Sequence, residues 1–178
     1  PTNYLACWGR GYPTDSGTAV FDTDGVFQSG DPNRFADITD GTSNTAAFSE
    51  SLLAADADGS MTLTRRTAEL VTVGFRGGKL DEQRCTPFGS TAYKARRGAR
   101  WVDGFVLYSA YYHWSSPNSD MPDCAVWAPL RSLWIAARSR HPGGVNLTLC
   151  DGSVRFVSES VDLETWRALG SCNGREVA

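Results

Sequence analysis

The feature that most constrains this chain is a pair of short β-prone runs separated only by Asp151-Gly152. The runs cover residues 145–150 and 153–158, and apolar and polar side chains alternate in both of them. Asp-Gly between alternating runs is the strongest short-range hairpin signal, because a two-residue type I′ turn needs positive φ at both central positions. The sequence therefore predicts an antiparallel β-hairpin over residues 145–158.

The turn type also predicts the register of this hairpin. With a two-residue turn, Leu149 lies opposite Val154 and Leu147 lies opposite Phe156. These four apolar side chains then share one face, and Cys150 lies on the other, polar face. A shift of one residue would move a whole strand's side chains to the wrong face, so we expect the register that separates apolar from polar residues.

Length and composition fit one globular domain. A chain of 178 residues buries about 70% of its unfolded surface, and 18 glycines with 6 tryptophans favour a sheet-rich, loop-rich chain over a helical bundle. The net charge of −3 gives no overall attraction to nucleic acid or to anionic membranes. We expect one α+β domain over 1–178 with a mainly antiparallel sheet, long variable loops at about 76–130 and the C-terminal hairpin at 145–158.

The cysteines favour neither zinc nor a defined disulfide map. They form no Cys-x-x-Cys pair and no zinc-ligand spacing with either histidine. Their odd number leaves at least one thiol free or intermolecular, and disulfides among the others would indicate an oxidising compartment. The connectivity stays open. The five cysteines are Cys7, Cys85, Cys124, Cys150 and Cys172.

The two ends of the chain carry little targeting information. No stretch approaches the roughly 20 apolar residues of a membrane-spanning helix, and no signal peptide opens the chain. Pro1 is not preceded by an initiator methionine, so we expect a processed or truncated chain.

Local patterns predict further elements along the chain. We expect a strand beginning at Thr45, strands at 61–64 and 69–75, and paired apolar edges around a turn at 101–108. Three-four spacing of apolar residues predicts a short helix within 127–137. A final short helix is expected between the capping residue Asp162 and Gly170.

Two Asp-x-Asp-Gly segments predict tight turns, because aspartate side chains bond to nearby backbone groups. Their carboxylates are also weak candidates for a calcium site, although the remaining ligands of an EF-hand loop are missing at its spacing. These candidates are Asp22, Asp24, Asp56 and Asp58.

Two stretches each allow a structural interpretation and a ligand-binding interpretation. Basic and aromatic residues interleave at 93–101, a pattern found in nucleic-acid contacts, but in a slightly acidic chain we interpret it as a solvated charged face. The aromatic run at 111–114 is interpreted as core packing, and the alternative is a sugar-stacking platform formed by Tyr111, Tyr112 and Trp114.

Catalysis is not predicted. A Ser/His/Asp hydrolase would use His141 as base and Asp151 as its partner, but the turn itself calls for an Asp at 151. No Gly-x-Ser-x-Gly elbow presents a nucleophile, Ser43 or Ser139 would serve only by assumption, and no phosphate loop or dinucleotide fingerprint is present. We interpret His141 as a loop histidine that holds the following residues through ring bonds to carbonyls, with metal binding, partner contact and a processing role as alternatives.

Two blocks of the sequence then resemble one family. The first is Asp-Ile-Thr-Asp-Gly-Thr-Ser-Asn-Thr at 37–45, followed by Glu50, and the second is His141 followed after nine residues by Asp151-Gly152. Both resemble signatures of the bacterial prepilin-type proteins with domain of unknown function 1559, which are abundant in planctomycetes. Lesser matches keep the family's order along essentially the whole chain. The residues carrying the two blocks are Asp37, Asp40, Gly41, Ser43, Asn44, Glu50, His141, Gly143, Gly144, Asp151 and Gly152.

The resemblance implies a pilin-like or pseudopilin-like globular domain whose precursor carries a leader and a hydrophobic N-terminal helix, both absent from this sequence. It implies a non-enzymatic structural subunit of an extracellular filament or type II secretion apparatus, at the cell surface, outside the cell or in the periplasm. The implied partners are other pilin-like subunits or further copies of the chain, with membrane contact only through the N-terminal helix. The alternative function is a surface carbohydrate-binding module that binds glycans with or without calcium, and no other cofactor is expected.

Overall fold

The computed structural model describes residues 1–11, 23–28, 30–53, 72–75, 82–85, 97–127 and 130–175. The chain has an α+β fold that is rich in sheet, as the sequence predicts. Its strands are β1 (Tyr4–Cys7), β2 (Ala46–Glu50), β3 (Thr72–Phe75), β4 (Ala110–Tyr111), β5 (Asp123–Trp127), β6 (Leu130–Trp134), β7 (Gly144–Leu149) and β8 (Val154–Ser158). Within those ranges the α-helices are α1 (Glu82–Cys85), α2 (Val106–Ser109) and α3 (Leu163–Gly170), and 3-10 helices cover Phe35–Asp37 and Trp101–Asp103.

The described strands form two sheets. The larger sheet has the order β4-β1-β2-β7-β8, and the smaller one has the order β3-β5-β6. Most neighbours are antiparallel, but β1 with β4 and β3 with β5 are parallel pairs. The sheets are therefore mixed, with antiparallel pairing in the majority.

The predicted hairpin forms, but its turn is longer than expected. Thr148 lies opposite Val154, and the Gly152 amide donates to the Leu149 carbonyl at 3.0 Å. Gly152 has φ of +84°, whereas Asp151 does not adopt positive φ. The connection is a three-residue loop, a type I turn followed by a left-handed glycine, so the predicted type I′ turn was wrong.

The longer loop shifts the register by one residue. The side chains of β8 therefore point to the opposite faces from those predicted. Leu147 and Leu149 are at most 1% exposed, but Val154 and Phe156 are 63% and 54% exposed. The prediction that these four side chains share a face was therefore wrong. The side chain of Asp151 explains the preference for the longer loop, because it accepts hydrogen bonds from both the backbone and the hydroxyl of the second residue after it.

The inner side of the larger sheet carries the main core. Its residues include Leu5 of β1, Val145 and Leu147 of β7, and Trp166 of α3, all at most 1% exposed. The sequence predicts α3 correctly: Asp162 caps it by accepting from the Thr165 amide at 2.9 Å. Trp166, in the first turn of this helix, packs in the main core with these strand residues.

The segment predicted as a helix within 127–137 is a strand instead. Leu133, Ile135 and Ala137 face the main core, while Trp134 packs in a second cluster with Val73 and Val126. An apolar run buried on both sides has a period of 2, and over a short run it imitates helical spacing. The helix prediction was wrong for that reason.

Some of the other elements predicted from the sequence are confirmed and others are wrong. The strand expected from Thr45 is confirmed as β2, and Thr72–Phe75 confirms the end of another, whereas 61–64 and 69–71 lie outside the described residues. The edges expected at 101–108 are wrong: a 3-10 helix ends there at Gly104, whose φ is +58°, and α2 follows. The region expected as long loops at 76–130 contains α1, α2, β4 and β5. In the described part of the chain, no helix is both long enough and apolar enough to cross a bilayer.

Candidate functional site

The first signature block holds the hairpin turn and the C-terminal segment against β2. The amides of Asp151 and Cys150 donate to the carbonyls of Thr42 and Thr45 at 3.1 and 2.9 Å. The carboxylate of Asp40 accepts from the amides of Gly174 and Arg175, each at 2.8 Å, and from the hydroxyl of Ser171. The block therefore joins three parts of the chain that are distant in sequence.

The remaining residues of this block shape its own turn. Gly41 has φ of +95°, the side chain of Asn44 donates to the Asp40 carbonyl, and the Ser43 carbonyl accepts from Arg155. Asp37 pairs with Arg34, and the hydrogen bonds from Arg34 lower the pKa of that carboxyl to about 2. These contacts fix the local conformation of the block.

The second signature block brings His141 to Glu50. The Nε2 atom of His141 lies 3.0 Å from Oε1 of Glu50, and Oε2 of Glu50 accepts from the Asn146 amide at 2.7 Å. The Glu50 side chain is 11% exposed and the His141 side chain is 52% exposed. The interpretation of His141 as a ring bonded to loop carbonyls was therefore wrong, since its ring contact is a carboxylate on β2.

The loop that carries His141 is fixed by a second set of hydrogen bonds. The hydroxyl of Ser139 donates to the Gly144 carbonyl at 2.7 Å and accepts from the His141 amide at 3.0 Å. Asn118 bonds both the Ser139 amide and the Gly144 carbonyl. Gly143 supplies a left-handed φ of +79° between them. The Ser139 hydroxyl is thus engaged with backbone and does not contact the imidazole ring of His141.

Gly144 permits β7 and β8 to approach closely at the start of the strand. A Cβ atom at this position would lie 2.1 Å from the Val157 carbonyl oxygen. Asp151, in contrast, lies at the far end of the hairpin and is bonded to Ser153, which lowers the pKa of its carboxyl. The His–Asp pair of the hydrolase hypothesis therefore does not form, and Glu50 takes the position beside His141.

A buried ionic cluster lies beside this site. Asp123 Oδ2 contacts Nη1 of Arg97 at 2.5 Å, and its Oδ1 contacts Nη2 of Arg138 at 3.4 Å. All three side chains are at most 2% exposed. Arg138 also donates to the carbonyls of Ser119 and Met121. The burial of Arg97 removes it from the basic surface expected at 93–101, whereas Lys94 and Arg96 lie outside the described residues.

A recess opens between the ionic cluster and the Glu50–His141 pair. It consists of two cavities of about 240 and 390 Å³ that share Leu52 and residues 138–141 as lining. Glu50 and Asn3 line one cavity, and Asn118 lines the other. The recess combines a buried guanidinium, an exposed imidazole and several hydrogen-bonding side chains.

Of the weak calcium candidates, Asp24 lies in the described part of the chain. The carboxylate of Asp24 accepts from the backbone and side chain of Arg10, at 2.8 and 2.5 Å. Asp22, Asp56 and Asp58 lie outside the described residues. Within the described ranges, no group of three or more acidic, histidine or cysteine side chains is arranged to hold a metal ion.

The aromatic run does not form an exposed platform. Tyr111 is fully buried and Tyr112 is 4% exposed, so neither ring is available for stacking on a sugar. Trp114 is partly exposed, but it stacks on Trp134 at 4.6 Å and lies under the guanidinium of Arg167 at 4.3 Å. The sugar-stacking alternative is corrected on this ground, because Tyr111 and Tyr112 are buried and the Trp114 ring already stacks on Trp134 and Arg167.

His113, the second histidine, belongs to the core. Its Nδ1 lies 2.6 Å from the Trp166 carbonyl oxygen, and its Nε2 lies 3.0 Å from the hydroxyl of Tyr111. A carbonyl only accepts, so Nδ1 carries the hydrogen and Nε2 accepts from the tyrosine. Burial lowers the pKa of His113 to about 3, which keeps the ring neutral.

The structure gives the disulfide pairing that the sequence did not determine. Cys85 of α1 and Cys124 of β5 form a disulfide. Cys7 and Cys172 are free and buried, and Cys150 is free and partly buried. Cys150 lines an apolar groove of about 500 Å³ on the outer side of the larger sheet, together with Phe27, Phe35, Phe48 and other residues.

Sequence reasoning found Glu50 and His141 only as members of separate blocks. Their contact joins residues 91 positions apart, and no periodicity signals a pair at that distance. Asn118, Asp123 and Arg138 were missed as well, since a polar residue in a loop or between apolar neighbours gives no sign of its partner.

The chain is similar to a known protein family. The family model described as "Protein of unknown function (DUF1559)" matches residues 3–164. No curated protein and no solved structure gives a significant match.

Proposed function

This chain belongs to the DUF1559 family, and we propose that it is a non-enzymatic structural subunit of a pilin-like or pseudopilin-like assembly. It acts outside the cytoplasm, in a filament or in a secretion apparatus. Its partners are other pilin-like subunits or further copies of itself, and its membrane contact is made by a hydrophobic N-terminal helix of the precursor.

The observation that carries this proposal is the outer face of the larger sheet. We define this face by Phe48, Thr148, Val154 and Phe156, which lie side by side on β2, β7 and β8. Three of the four are apolar, and they are 40%, 63% and 54% exposed in chain order. An exposed apolar patch of adjacent side chains is typical of a protein–protein contact.

The apolar groove extends this face. The rings of Phe27 and Phe48 lie 5.0 Å apart, and the groove continues from them to Phe35, which is 78% exposed. A contact that covered the outer face and entered the groove would bury several aromatic side chains. Aromatic side chains, phenylalanine among them, are enriched in protein interfaces.

Two further observations support a structural role outside the cytoplasm. The signature residues in the described chain are engaged in internal hydrogen bonds and turns: Asp40 holds the C-terminal segment, Glu50 holds His141, and Asp151 holds its own turn. A disulfide between Cys85 and Cys124 is typical of an oxidising compartment.

Site-specific photo-crosslinking in cells that produce the intact gene product tests the proposal. A photoreactive phenylalanine analogue replaces Phe156 on the outer face, and the matched control replaces Val102, which is 79% exposed outside that face. We expect covalent adducts with a second copy or with a pilin-like subunit, identified by mass spectrometry, from position 156 and not from position 102.

Two results would contradict the proposal. Equal adduct patterns from positions 156 and 102 would show that the outer face is not an interface. A specific turnover by the purified protein that His141→Ala abolishes, with the fold unchanged, would show that the chain is an enzyme.

A further inference from the structure

Strand β8 forms one edge of the larger sheet. In the order β4-β1-β2-β7-β8, the strand β7 is its single neighbour among the described strands. An open edge is a template for pairing with another chain, and natural proteins often protect it with prolines, lysines or bulges. The pairing of β8 with β7 runs without a bulge, and Val154–Ser158 contains neither proline nor lysine. The edge of β8 therefore has the features of a strand that accepts a further neighbour.

The ladder between β7 and β8 decides which backbone groups of β8 point outward. The Leu149 amide donates to the Ser153 carbonyl at 2.9 Å, so these two residues form a hydrogen-bonded pair. Such pairs alternate with non-hydrogen-bonded ones along an antiparallel ladder, and the amides and carbonyls of Val154 and Phe156 therefore point away from β7. Their side chains are 63% and 54% exposed. The described part of the chain leaves this edge uncovered.

Two exposed charges of opposite sign lie along the same edge. Arg155 and Glu159 alternate with Phe156 and project on the other face of β8. Arg155 donates from Nη2 to the Ser43 carbonyl at 3.3 Å, and Glu159 accepts from Asn118 at 3.5 Å through Oε2. A guanidinium group has five N–H donors and a carboxylate has two oxygens, so both side chains can form further contacts without losing these.

We propose that β8 pairs antiparallel with β8 of a second copy of this chain and joins two five-stranded sheets into one. The pairing is centred on Phe156, which lies opposite its counterpart, and it places Val154 opposite Ser158 of the second copy. All five residues of β8 are paired in this register. Arg155 lies diagonal to Glu159 of the second copy, at about 7–8 Å, which long side chains can span. The two-fold symmetry repeats each of these contacts.

Charge favours this register and a second copy as the partner. A pairing centred on Arg155 would place two guanidinium groups directly opposite each other, which is destabilising. In the register centred on Phe156 the two arginines approach along one diagonal, whereas two diagonals join Arg155 to Glu159. The edge is thus complementary to itself. The inference rests on the proposed structural function for its partner, a further copy of the chain, and names β8 as the surface that the two copies share.

Disulfide trapping of the purified chain tests the pairing. The Cα atoms of a hydrogen-bonded antiparallel pair are about 5.5 Å apart, which lies within the range of roughly 4.4–6.8 Å found for disulfides. Under mild oxidation we expect Phe156→Cys to give a covalent dimer whose linked peptides both contain position 156, identified by mass spectrometry. Val102→Cys is the matched control, because Val102 is 79% exposed outside β8, and it is expected to stay monomeric. The unmodified chain gives the background from the native cysteines.

Two further variants test the register. Val154→Cys alone is expected to stay monomeric, because position 154 lies opposite position 158 of the second copy. Val154→Cys combined with Ser158→Cys is expected to form the dimer. The proposal would be overturned if neither Phe156→Cys nor this double variant formed a dimer, or if Val102→Cys formed one at the same rate. A dimer linked between two copies of position 154 would contradict the register.

Charge reversal tests the contact between Arg155 and Glu159. Arg155→Glu places like charges along both diagonals, and we expect it to weaken self-association about tenfold, measured by light scattering over a series of concentrations. Adding Glu159→Arg exchanges the two charges and is expected to restore self-association. Both variants lack the bond from Arg155 to Ser43, so recovery in the second variant separates the charge effect from the loss of that bond. Absence of recovery would contradict the proposed arrangement.

The self-pairing of β8 and the proposed function fail in different ways. Photo-adducts from position 156 with a different pilin-like subunit, without a trapped dimer of the purified variants, would refute the self-pairing and leave the structural function standing. A trapped dimer together with equal adduct patterns from positions 156 and 102 in cells would refute the structural function and leave the self-pairing standing.

Discussion

His113 gives a prediction about how stability depends on pH. Its ring is neutral in the folded protein, because burial lowers its pKa from 6.5 to about 3. The unfolded chain exposes the same ring to water, where it takes up a proton near pH 6.5. The unfolded state therefore binds more protons between these two values, and stability must fall as the pH is lowered through this window.

The size of this effect follows from the two pKa values. Between pH 7 and pH 5 the unfolded histidine becomes almost fully protonated, while the folded one stays neutral. Proton linkage then removes about 2 kcal/mol from the free energy of unfolding. Carboxylates such as Asp37, whose pKa is lowered to about 2, lose their contribution only at lower pH, below the ordinary value of 3.8.

Urea denaturation at several pH values between 5 and 7 measures how the free energy of unfolding changes with pH. His141→Gln is the matched control, because it leaves His113 as the single histidine. The loss of about 2 kcal/mol is expected to persist in this variant and to vanish in His113→Gln, whatever the absolute stability of the latter. NMR of the folded protein is expected to show a neutral Nδ1–H ring at 113 that does not titrate above pH 5.

Two results would refute the reasoning. A ring at 113 that titrates near pH 6.5 in the folded state would contradict its burial in a neutral form. A slope that disappears in His141→Gln and remains in His113→Gln would assign the effect to the other histidine.

Three other changes test separate parts of the structure. Gly152→Ala is expected to lower the free energy of unfolding by about 1 kcal/mol through backbone strain alone, since φ is +84° and no atom lies within 4 Å of the added Cβ. Asp123→Asn is expected to cost about 3–5 kcal/mol, measured by urea denaturation, because two buried arginines lose their charged partner. In alkylation followed by mass spectrometry, Cys150 is expected to react before Cys7 and Cys172, which are buried. Even Cys150 is expected to be slow, since burial raises its pKa to about 11 and leaves roughly 100-fold less thiolate at pH 8 than the ordinary value of 9.0 does.

Each of these predictions has a clear contradicting result. Unchanged stability of Gly152→Ala would argue against the left-handed conformation at the hairpin turn. A loss below about 1 kcal/mol for Asp123→Asn would mean that the ionic cluster is hydrated and not buried. Labelling of Cys7 at the rate of Cys150 would contradict the packing of β1 in the main core.

The parts of the fold predicted from sequence are those with a local physical cause. Alternation at Val145, Leu147 and Leu149 indicated a strand with one buried face, and Asp162 indicated the start of a helix by its capping chemistry. The turn at Asp151-Gly152 was located correctly but given the wrong type. Positive φ is needed at one of its residues and not at two, and the choice depends on a side-chain bond to Ser153.

The parts that were missed depend on partners distant in the chain. Leu133 and Trp134 were assigned to a helix because the sequence does not show that the two sides of their strand face different clusters. The candidate site was missed for the same reason: Glu50 meets His141 across 91 residues, and Asp123 meets Arg97 across 26. The family resemblance included Glu50 and His141, but in separate blocks and without indicating their contact.

The disulfide between Cys85 and Cys124 affects the order in which parts of the protein unfold. It lies within the smaller apolar cluster, with Val73, Val126 and Trp134, and closes a loop across 39 positions. A loop of that length restricts the unfolded chain by about 4 kcal/mol in the chain-entropy account. A reductant therefore weakens the smaller sheet first, while the Gly144–Ser158 hairpin keeps its own core contacts. Limited proteolysis of the reduced protein is expected to cut within the smaller sheet before the larger one, so the protease resistance of the smaller sheet is expected to depend on the ambient redox potential.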